Sequence, residues 1–466
     1  MPSNIDQVEL SLNGFDVTSC IKRYTMHYDM FGGAGSFTCD LVSDQNQIRS
    51  FSDLGLDLSL GKHEVFFQWT FNSIPWMNGY LDKVEIGYDK NNMTQTLSGR
   101  DLMAVLMDNT IINPQNIPAL SSGLNEIGDA GTLNSLLETM WFNNTQVSKI
   151  TNMNNGFENA IITLDQPLSI RKYLNNTPFI YAPAAAQALA GMPHFRRISF
   201  SVGQSLFDVA SNLCNQRGLI MYNPPGTNYI LVQTAGFNAQ TDPNGSRGGE
   251  LIGFDPWGET DNGDIDIYFY NVIKGPQQNN VISCSAKQDI TGYHKYIKLL
   301  GEALDSSEIQ KEVAPNGVPF KPLRIERIDS IPDLNSDGTP FEGSVSPTFL
   351  RQGYSGVVKL KTQSVDSVDT YTWSKTRNLL INNDLFTQNR ELYNIKYTVS
   401  NHSLNGSLPY FFGQYATVWD DFLNLDGQLF LVYAVTYTGS KVEGLKTEVE
   451  LATPIADNGR PFYGVS

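Results

Sequence analysis

Residues 95–114 read Q-T-L-S-G-R-D-L-M-A-V-L-M-D-N-T-I-I-N-P, and within this stretch the pattern changes from strand to helix. Short alternating runs typical of β-strands precede it, whereas apolar residues recur at spacings of three and four after Asp101. Asp101 suits the cap of that helix, because its carboxylate can accept a hydrogen bond from a free backbone N–H of the first turn. Asn113 and Pro114 end the pattern. The stretch predicts the last strand of a β-domain, followed by a short helix that plugs or flanks that domain.

The composition favours a mainly β (α+β) protein. The chain has 466 residues, which corresponds to roughly three domains of ordinary size. Hydrophobic residues make up 41% of it, enough for packed cores, while charged residues reach only 17%. Glycine, asparagine, serine, threonine and tyrosine are abundant, and this mixture is typical of strands joined by many turns.

The net charge of −16 restricts the partners. It arises from 32 basic against 48 acidic residues. An acidic surface repels phosphate, so tight non-specific binding of nucleic acid is excluded, although nucleic acid could still move past without adhering. The simpler alternative is that the charge only keeps the protein in solution.

Cysteine usage and the absence of leader patterns point to a cytosolic product. The four cysteines form no C-x-x-C pair, which predicts buried free thiols in a reducing compartment. The N-terminus lacks the basic and apolar regions of a secretory signal, and no apolar run approaches the ~20 residues that span a bilayer. We therefore expect a soluble product that is made in the cytosol, or one that leaves the cell by another route, without membrane insertion.

Periodicity along the chain divides it into four predicted parts. Residues 1–114 form a first small β-barrel domain of about six short strands with a terminal helix. Residues 115–196 are an insertion or accessory domain, in which Leu133, Leu136 and Leu137 form the apolar face of a short helix. Residues 197–264 are a helix-plus-hairpin domain and a linker. Residues 265–466 form a second β-barrel domain, interrupted at about 303–393 by a loop-rich insertion and a helix at 367–393.

The helix-plus-hairpin domain carries the clearest pattern of the middle region. Four residues fall on one helical face, and Gly218 follows as a left-handed cap; the four are Leu206, Val209, Ala210 and Leu213. Two apolar runs, residues 219–222 and 229–232, then flank a Pro-Pro-Gly turn and predict a hairpin.

Motifs that carry chemistry are missing from the sequence, so we predict no enzyme, no catalytic, metal or cofactor-binding residue and no cofactor. Neither phosphate-cradling glycine motif occurs. The five histidines are dispersed without ligand spacing; they are His27, His63, His194, His294 and His402. The acidic doublet Asp420-Asp421 and the pair Asp264 and Asp266 are interpreted as solvated turns. Residues 333–344 imitate the start of a calcium loop, but Ser344 stands where glutamate is needed, and a turn is favoured.

Three blocks, in this order along the chain, resemble the baseplate hub proteins of phage tails, of the Mu-like or late-control family. The first combines V-E-L-S-L-N-G-F, A-G-S-F-T-C-D-L and L-S-G-R-D-L-M-A-V-L-M-D-N; the second is S-V-G-Q-S-L-F-D-V-A-S-N-L-C-N-Q-R-G-L-I-M-Y. The third begins N-N-V-I-S-C-S-A-K-Q-D-I-T-G-Y-H-K-Y-I-K-L-L-G-E and is completed by the late strands up to L-K-T-E-V-E-L-A-T-P-I-A. Residues 115–196 and 303–346 depart from the family pattern.

The resemblance implies a structural homotrimer in the virion tail baseplate, synthesised and assembled in the host cytoplasm. Each chain would contribute two similar barrels, so that a ring of six units joins a six-fold tail tube to a three-fold spike and leaves a channel for DNA in transit. The implied partners are the tail tube or distal tail ring, the central spike, baseplate wedge proteins and the tape measure protein.

Two other functions compete with this interpretation. A tail-derived contractile injection system uses the same architecture to deliver effectors instead of DNA. A carbohydrate-active β-protein would need two carboxylates about 5–10 Å apart in a cleft. Arg100 and Asp101 could form a catalytic or ion-pair couple, but we favour a structural interpretation in which Asp101 caps the helix and Arg100 pairs locally or at a subunit interface.

Overall fold

A computed structural model defines the architecture. It describes residues 6–42, 65–88, 93–110, 179–181, 203–234, 265–269, 279–289, 296–301, 326–329, 360–365, 393–403 and 409–452, except 102, 228 and 414, together with the helical positions 133, 136, 137, 387 and 390. The predicted domain boundaries after residues 114 and 196, the loop at 333–344 and residues His63, His194, His294 and Asp264 lie outside this set.

The N-terminal region is a run of antiparallel strands followed by one short helix, as the sequence predicts. Its elements are β1 (Val8–Leu12), β2 (Phe15–Asp16), a 3₁₀ turn (Thr18–Cys20), β3 (Ile21–Asp29), β4 (Ser36–Val42), β5 (Phe66–Phe71), β6 (Ile74–Tyr88), β7 (Met93–Asp101) and α1 (Met103–Asp108). Alternate residues of β4 and β5 are buried, because successive side chains of a strand point to opposite faces of the sheet.

The middle region contains the predicted helix and hairpin. Its elements are β8 (Phe179–Tyr181), α2 (Leu206–Asn215), β9 (Leu219–Tyr222) and β10 (Ile230–Thr234), and the strands form one sheet in the order β8-β10-β9. The Ser205 hydroxyl accepts the backbone N–H of Asp208 and so caps α2. Gly218 has a φ of +69°, which confirms the left-handed cap. The predicted apolar face of α2 is buried, and so are the helical residues Leu133, Leu136 and Leu137.

The C-terminal region also consists of strands. They are β11 (Ile265–Phe269), β12 (Val281–Gln288), β13 (Tyr296–Gly301), β14 (Glu326–Asp329), β15 (Leu360–Val365), β16 (Tyr393–Ser400), β17 (Tyr415–Asp420), β18 (Leu425–Ser440) and β19 (Gly444–Ala452). β14 and β15 lie inside the segment predicted to be loop-rich, and both pair with β13 in a separate small sheet. Of the helix predicted at 367–393, Thr387 and Arg390 are helical, while Tyr393 already begins β16.

A single hydrogen-bonded sheet connects both ends of the chain. Its strand order is β12-β16-β19-β18-β3-β4-β7-β6-β5-β1-β2, with β17 and β11 branching from β18. The connection is made where residues 23–29 of β3 pair antiparallel with residues 434–440 of β18. We call this pairing the seam, because it joins strands from the two regions predicted as separate barrels.

The sheet contains the same five-strand unit twice. In the first unit the strands are β3 to β7, and in the second they are β12 and β16 to β19; order, direction and register agree strand by strand. Even the bulges recur: the shifts at Ile21/Arg23, Trp69/Thr70 and Leu81/Lys83 correspond to those at Val281/Ser283, Val418/Trp419 and Val432/Ala434. The fold is therefore mainly β and internally duplicated.

Three of the four cysteines are buried, as predicted. Cys20, Cys39 and Cys214 are buried free thiols and Cys284 is half-buried, and burial raises the thiol pKa of Cys39 and Cys214. Among the helices that the structure describes, none has the length and apolar character required to cross a membrane.

Candidate functional site

Asp101 joins three elements through one buried side chain. Its Oδ1 accepts the backbone N–H of Met103, the first residue of α1, at 2.9 Å, which confirms the predicted helix cap. Its Oδ2 accepts the N–H of Gly35, in the turn between β3 and β4, at 2.7 Å. The backbone N–H of Asp101 in turn donates to the Gly35 carbonyl at 2.9 Å. Asp101 thus fixes both the helix and the turn to the end of β7.

The electrostatics of Asp101 follow from this enclosed position. Burial raises the pKa of the carboxyl to about 7, although its two backbone N–H donors and the Arg100 guanidinium act to lower the pKa. Glycine is required at position 35, because a Cβ there would lie 2.6 Å from Asp101 Oδ2 and from the Tyr28 ring. The packing leaves no space for a substrate atom beside the carboxylate.

Replacing Asp101 with alanine should destabilise the protein more than the loss of an ordinary helix cap. A cap alone is worth about 1 kcal/mol, but here two backbone N–H groups in a buried setting lose their acceptor. We expect the free energy of unfolding to fall by about 3 kcal/mol in Asp101→Ala at neutral pH, measured by denaturant titration. Asp16→Ala is the matched control, because exposed Asp16 accepts the N–H of Thr18 in the same local geometry. If both variants lost the same free energy of unfolding, Asp101 would not hold the helix and the turn to β7 as described.

Arg100 points to the other side of β7 and holds two carboxylates. Its Nε and Nη2 donate to Asp82 on β6 at 2.7 and 2.8 Å. Its Nη1 and Nη2 donate to Asp108 at the end of α1 at 3.1 and 2.7 Å. The guanidinium therefore clamps strand to helix within the chain, and the structural interpretation of the Arg100–Asp101 couple is the one that its contacts support.

The acidic doublet at 420–421 is only partly as expected. Asp420 does begin a turn, but it is buried, so the expectation of a solvated residue was wrong. Its Oδ2 accepts the Tyr397 hydroxyl at 2.6 Å, and its Oδ1 accepts the backbone N–H groups of Phe422 and Leu423 at 2.8 and 3.1 Å. These donors compensate the carboxylate for the loss of water. Asp421 is exposed, as predicted.

His402 occupies the core where the two units meet. Its ring centroid lies 5.4 to 5.9 Å from those of Tyr24 in the first unit, Trp76 in the first unit and Tyr437 in the second. Its Nε2 is 2.7 Å from the Tyr24 hydroxyl and its Nδ1 is 2.9 Å from the Thr447 hydroxyl. Burial lowers the imidazole pKa to about 3, so the ring is neutral at physiological pH.

The hydrogen bonds around His402 fix its tautomer. The Thr447 hydroxyl donates to the Asn401 carbonyl at 2.7 Å, so its oxygen is left to accept a proton from the ring. Nδ1 therefore carries the hydrogen, and Nε2 accepts the Tyr24 O–H. Sequence reasoning found no signal for this role, because His402 has no patterned neighbour in the chain.

His27, the other described histidine, lies on the outer face of the seam. Its Nδ1 is 2.9 Å from the Thr436 hydroxyl. Among the described residues, no group of three or more histidine, cysteine or acidic side chains could hold a metal ion. The two histidines whose surroundings are known thus belong to the junction between the units.

The helix-plus-hairpin region docks on the first unit through a glycine. Gly226, in the turn between β9 and β10, has a φ of +69°, and a Cβ on it would lie 1.9 Å from the Pro75 carbonyl oxygen at the start of β6. The Asn78 amide donates to the Gly226 carbonyl at 3.1 Å. Asn223 braces the turn by donating to the carbonyls of Thr227 and Tyr229. Backbone meets backbone here, and only glycine allows that distance.

Comparison with known proteins identifies the fold. No protein-family model and no curated protein matches the sequence. Among solved structures, the chain is similar to the tail protein from Neisseria meningitidis MC58, with 14% identity, 96% of each chain covered and a TM-score of 0.57. It is also similar to the 43 kDa tail protein of prophage MuSo2 from Shewanella oneidensis, with 12% identity, 97% of this chain and 99% of that chain covered and a TM-score of 0.55. Both structures are of tail proteins, so the chain shares its fold with tail proteins, in agreement with the resemblance carried by the three sequence blocks.

Proposed function

We propose that the chain is a structural hub of a phage tail baseplate, in which three copies form a ring between the six-fold tail tube and the three-fold central spike. The observation that carries this proposal is the duplicated five-strand unit. Three chains with two equivalent units each present six similar surfaces to one neighbour while keeping three-fold symmetry toward the other. A ring built in this way has a central opening through which DNA passes.

The contacts around the acidic and histidine side chains support a structural role. Asp101, Asp420 and His402 are enclosed by backbone N–H groups, hydroxyls and aromatic rings of their own chain. Each of the three side chains connects secondary-structure elements of the chain, as expected in a protein with a structural role. A glycosidase mechanism needs an accessible carboxylate pair, and neither Asp101 nor Asp420 could take part in one. The fold shared with two tail proteins over nearly their whole length is in agreement.

The proposed neighbours follow from this position in the tail. One face of the ring meets the tail tube or distal tail ring, and the other meets the central spike; wedge proteins and the tape measure protein contact its periphery and its channel. The net charge of −16 suits a channel wall that DNA passes without adhering. The site of action is accordingly the virion tail baseplate.

Light scattering with size-exclusion chromatography tests the proposal directly. We expect the purified full-length chain to elute as three copies of its 51.8 kDa mass. Electron-microscopy class averages viewed down the ring axis should then show six similar densities around an opening. A chain that is monomeric at every concentration would contradict the trimeric hub.

A further inference from the structure

The seam shows how one unit of this protein pairs with another. Residues 23–29 of β3 run antiparallel to residues 434–440 of β18, with Asp29 opposite Ala434 and His27 opposite Thr436. On the outer face the His27 ring is hydrogen-bonded to the Thr436 hydroxyl at 2.9 Å. On the inner face Met26 lies opposite Tyr437, and both are buried. The edge strand of one unit is thus covered by the long strand of the other.

Because the unit is duplicated, the chain contains a second pair of strands equivalent to β3 and β18. Within the described residues these two strands are not paired with each other. In the shared register, β12 corresponds to β3, and residues 83–88 of β6 correspond to residues 434–439 of β18. Within the described ranges, β12 pairs only with β16, and residues 83–88 pair only with β7. Their side chains are exposed accordingly, by 63% for Lys83, 58% for Glu85 and 72% for Lys287.

We propose that β12 of one copy pairs antiparallel with residues 83–88 of β6 in the next copy, in the register of the seam. The pairing rests on the proposed function, because it is the contact that would close three copies into the ring. The partner is a second copy of this chain, bound head to tail. Such a heterologous contact closes into a ring when its rotation permits. Around the ring, the seam within each chain then alternates with the proposed pairing between neighbouring chains.

Transferring the register of the seam brings opposite charges together. His27 corresponds to Lys287 and Thr436 to Glu85, so Lys287 lies opposite Glu85. In the same way Asp29 corresponds to Asp289 and Ala434 to Lys83, so Asp289 lies opposite Lys83. On the inner face Ile86 meets Ala286. Directly opposed charges of opposite sign stabilise a strand pair, and like charges destabilise it.

The charges also exclude the neighbouring registers. A slip of two residues would place Glu85 opposite Asp289 in one direction or Lys83 opposite Lys287 in the other. A slip of one residue would exchange the inner and outer faces. In the free chain the four charges are paired along their own strands, Lys83 with Glu85 and Lys287 with Asp289. Association therefore exchanges ion pairs without leaving a charge unpaired.

Charge exchange within one strand tests the pairing at constant composition. In the variant Lys83→Glu with Glu85→Lys, the ion pair along β6 and the net charge are kept, but like charges face each other across the proposed contact. We expect the dissociation constant of the trimer to rise at least about tenfold, measured by mass photometry. The variant Lys287→Asp with Asp289→Lys should do the same, and the four substitutions together should restore assembly. Unchanged thermal unfolding of the monomers controls for folding.

Cysteine pairs test the register. In a Cys284→Ser background, Glu85→Cys with Lys287→Cys should give disulfide-linked trimers after diamide treatment, because directly opposed residues match disulfide geometry. Glu85→Cys with Ser285→Cys is two residues out of register and should not. Trimers that neither cross-link at the matched pair nor respond to charge exchange would overturn the pairing and leave the hub proposal standing. Monomers throughout would overturn the hub itself, and cross-linked rings of another size would support the pairing but overturn the three-copy hub.

Discussion

Acidification from pH 6.5 to pH 3 is expected to weaken the junction between the two units through His402. Burial lowers the pKa of this histidine to about 3, against about 6.5 in an unfolded chain. Its contribution to stability is therefore complete above pH 6.5 and is lost as the pH falls toward 3, because the unfolded state takes up the proton first. The loss is about 1.4 kcal/mol per pH unit, or roughly 5 kcal/mol over the interval.

The physical cause is the packing around the ring. His402 is fully buried between Tyr24, Trp76 and Tyr437, and its Nε2 accepts the Tyr24 hydroxyl. A proton on Nε2 would face a hydroxyl hydrogen and would place a charge where no water reaches it. The cation is excluded from the native state, so protonation favours separation of the packed rings.

Urea titrations between pH 7 and pH 4 would measure this effect. His402→Gln should be less stable at pH 7 but should show a flatter pH dependence, since an amide does not titrate in this range. Other groups also titrate between pH 7 and pH 4. Burial raises the pKa of the Asp101 carboxyl, so acidification increases stability through this group. The effect of His402 is therefore the difference in pH dependence between His402→Gln and the unchanged protein. An identical slope in His402→Gln and the unchanged protein would refute the assignment.

Gly226→Ala is expected to disrupt the docking of the helix-plus-hairpin region and to destabilise the protein by at least about 4 kcal/mol. The added Cβ would lie 1.9 Å from the Pro75 carbonyl oxygen and 3.0 Å from the Trp76 nitrogen, both of which are backbone atoms. Neither can move without shifting the start of β6, where the Trp76 side chain is buried. Overlap of this kind is among the few causes of very large single-residue effects.

Gly203→Ala separates this overlap from backbone strain. Gly203 has a φ of +86°, comparable to that of Gly226, but no atom of the described residues lies within 4 Å of its Cβ position. Its replacement should cost only about 1 kcal/mol, the ordinary penalty of the left-handed region. Chemical denaturation of both variants, followed by tryptophan fluorescence, gives the comparison. A similar cost in the two variants would show that strain alone accounts for the effect.

Local elements of the fold were predictable because their signals are local. The change from strand to helix at Asp101 was predicted, and the apolar face of α2 was predicted residue by residue. Periodicity and caps decide such features within a dozen residues. The seam joins residues more than 400 positions apart, and its register depends on bulges that leave no sequence signal.

The candidate site shows the same division. The cap at Asp101 could be predicted, since Met103 follows two residues later, whereas its bond to Gly35 depends on strand pairing. The repeat itself is hidden at the level of residues. Tyr24 and Met26 of β3 correspond to Cys284 and Ala286 of β12, so these equivalent positions share a register but not a side chain.

The length of β18 gives the chain a mechanical property. This strand pairs with β19 on both sides of the bulge at Val432/Ala434, with β17 before the bulge and with β3 after it, so one continuous strand of the second unit is hydrogen-bonded to the first unit. Hydrogen bonds in an antiparallel pair are perpendicular to the strands. A force along β18 therefore shears all the hydrogen bonds of the seam at the same time, whereas a force perpendicular to the strand breaks them one after another. The chain is stiff in one direction and yields in the other, and forces transmitted along the strands are the ones it is built to resist.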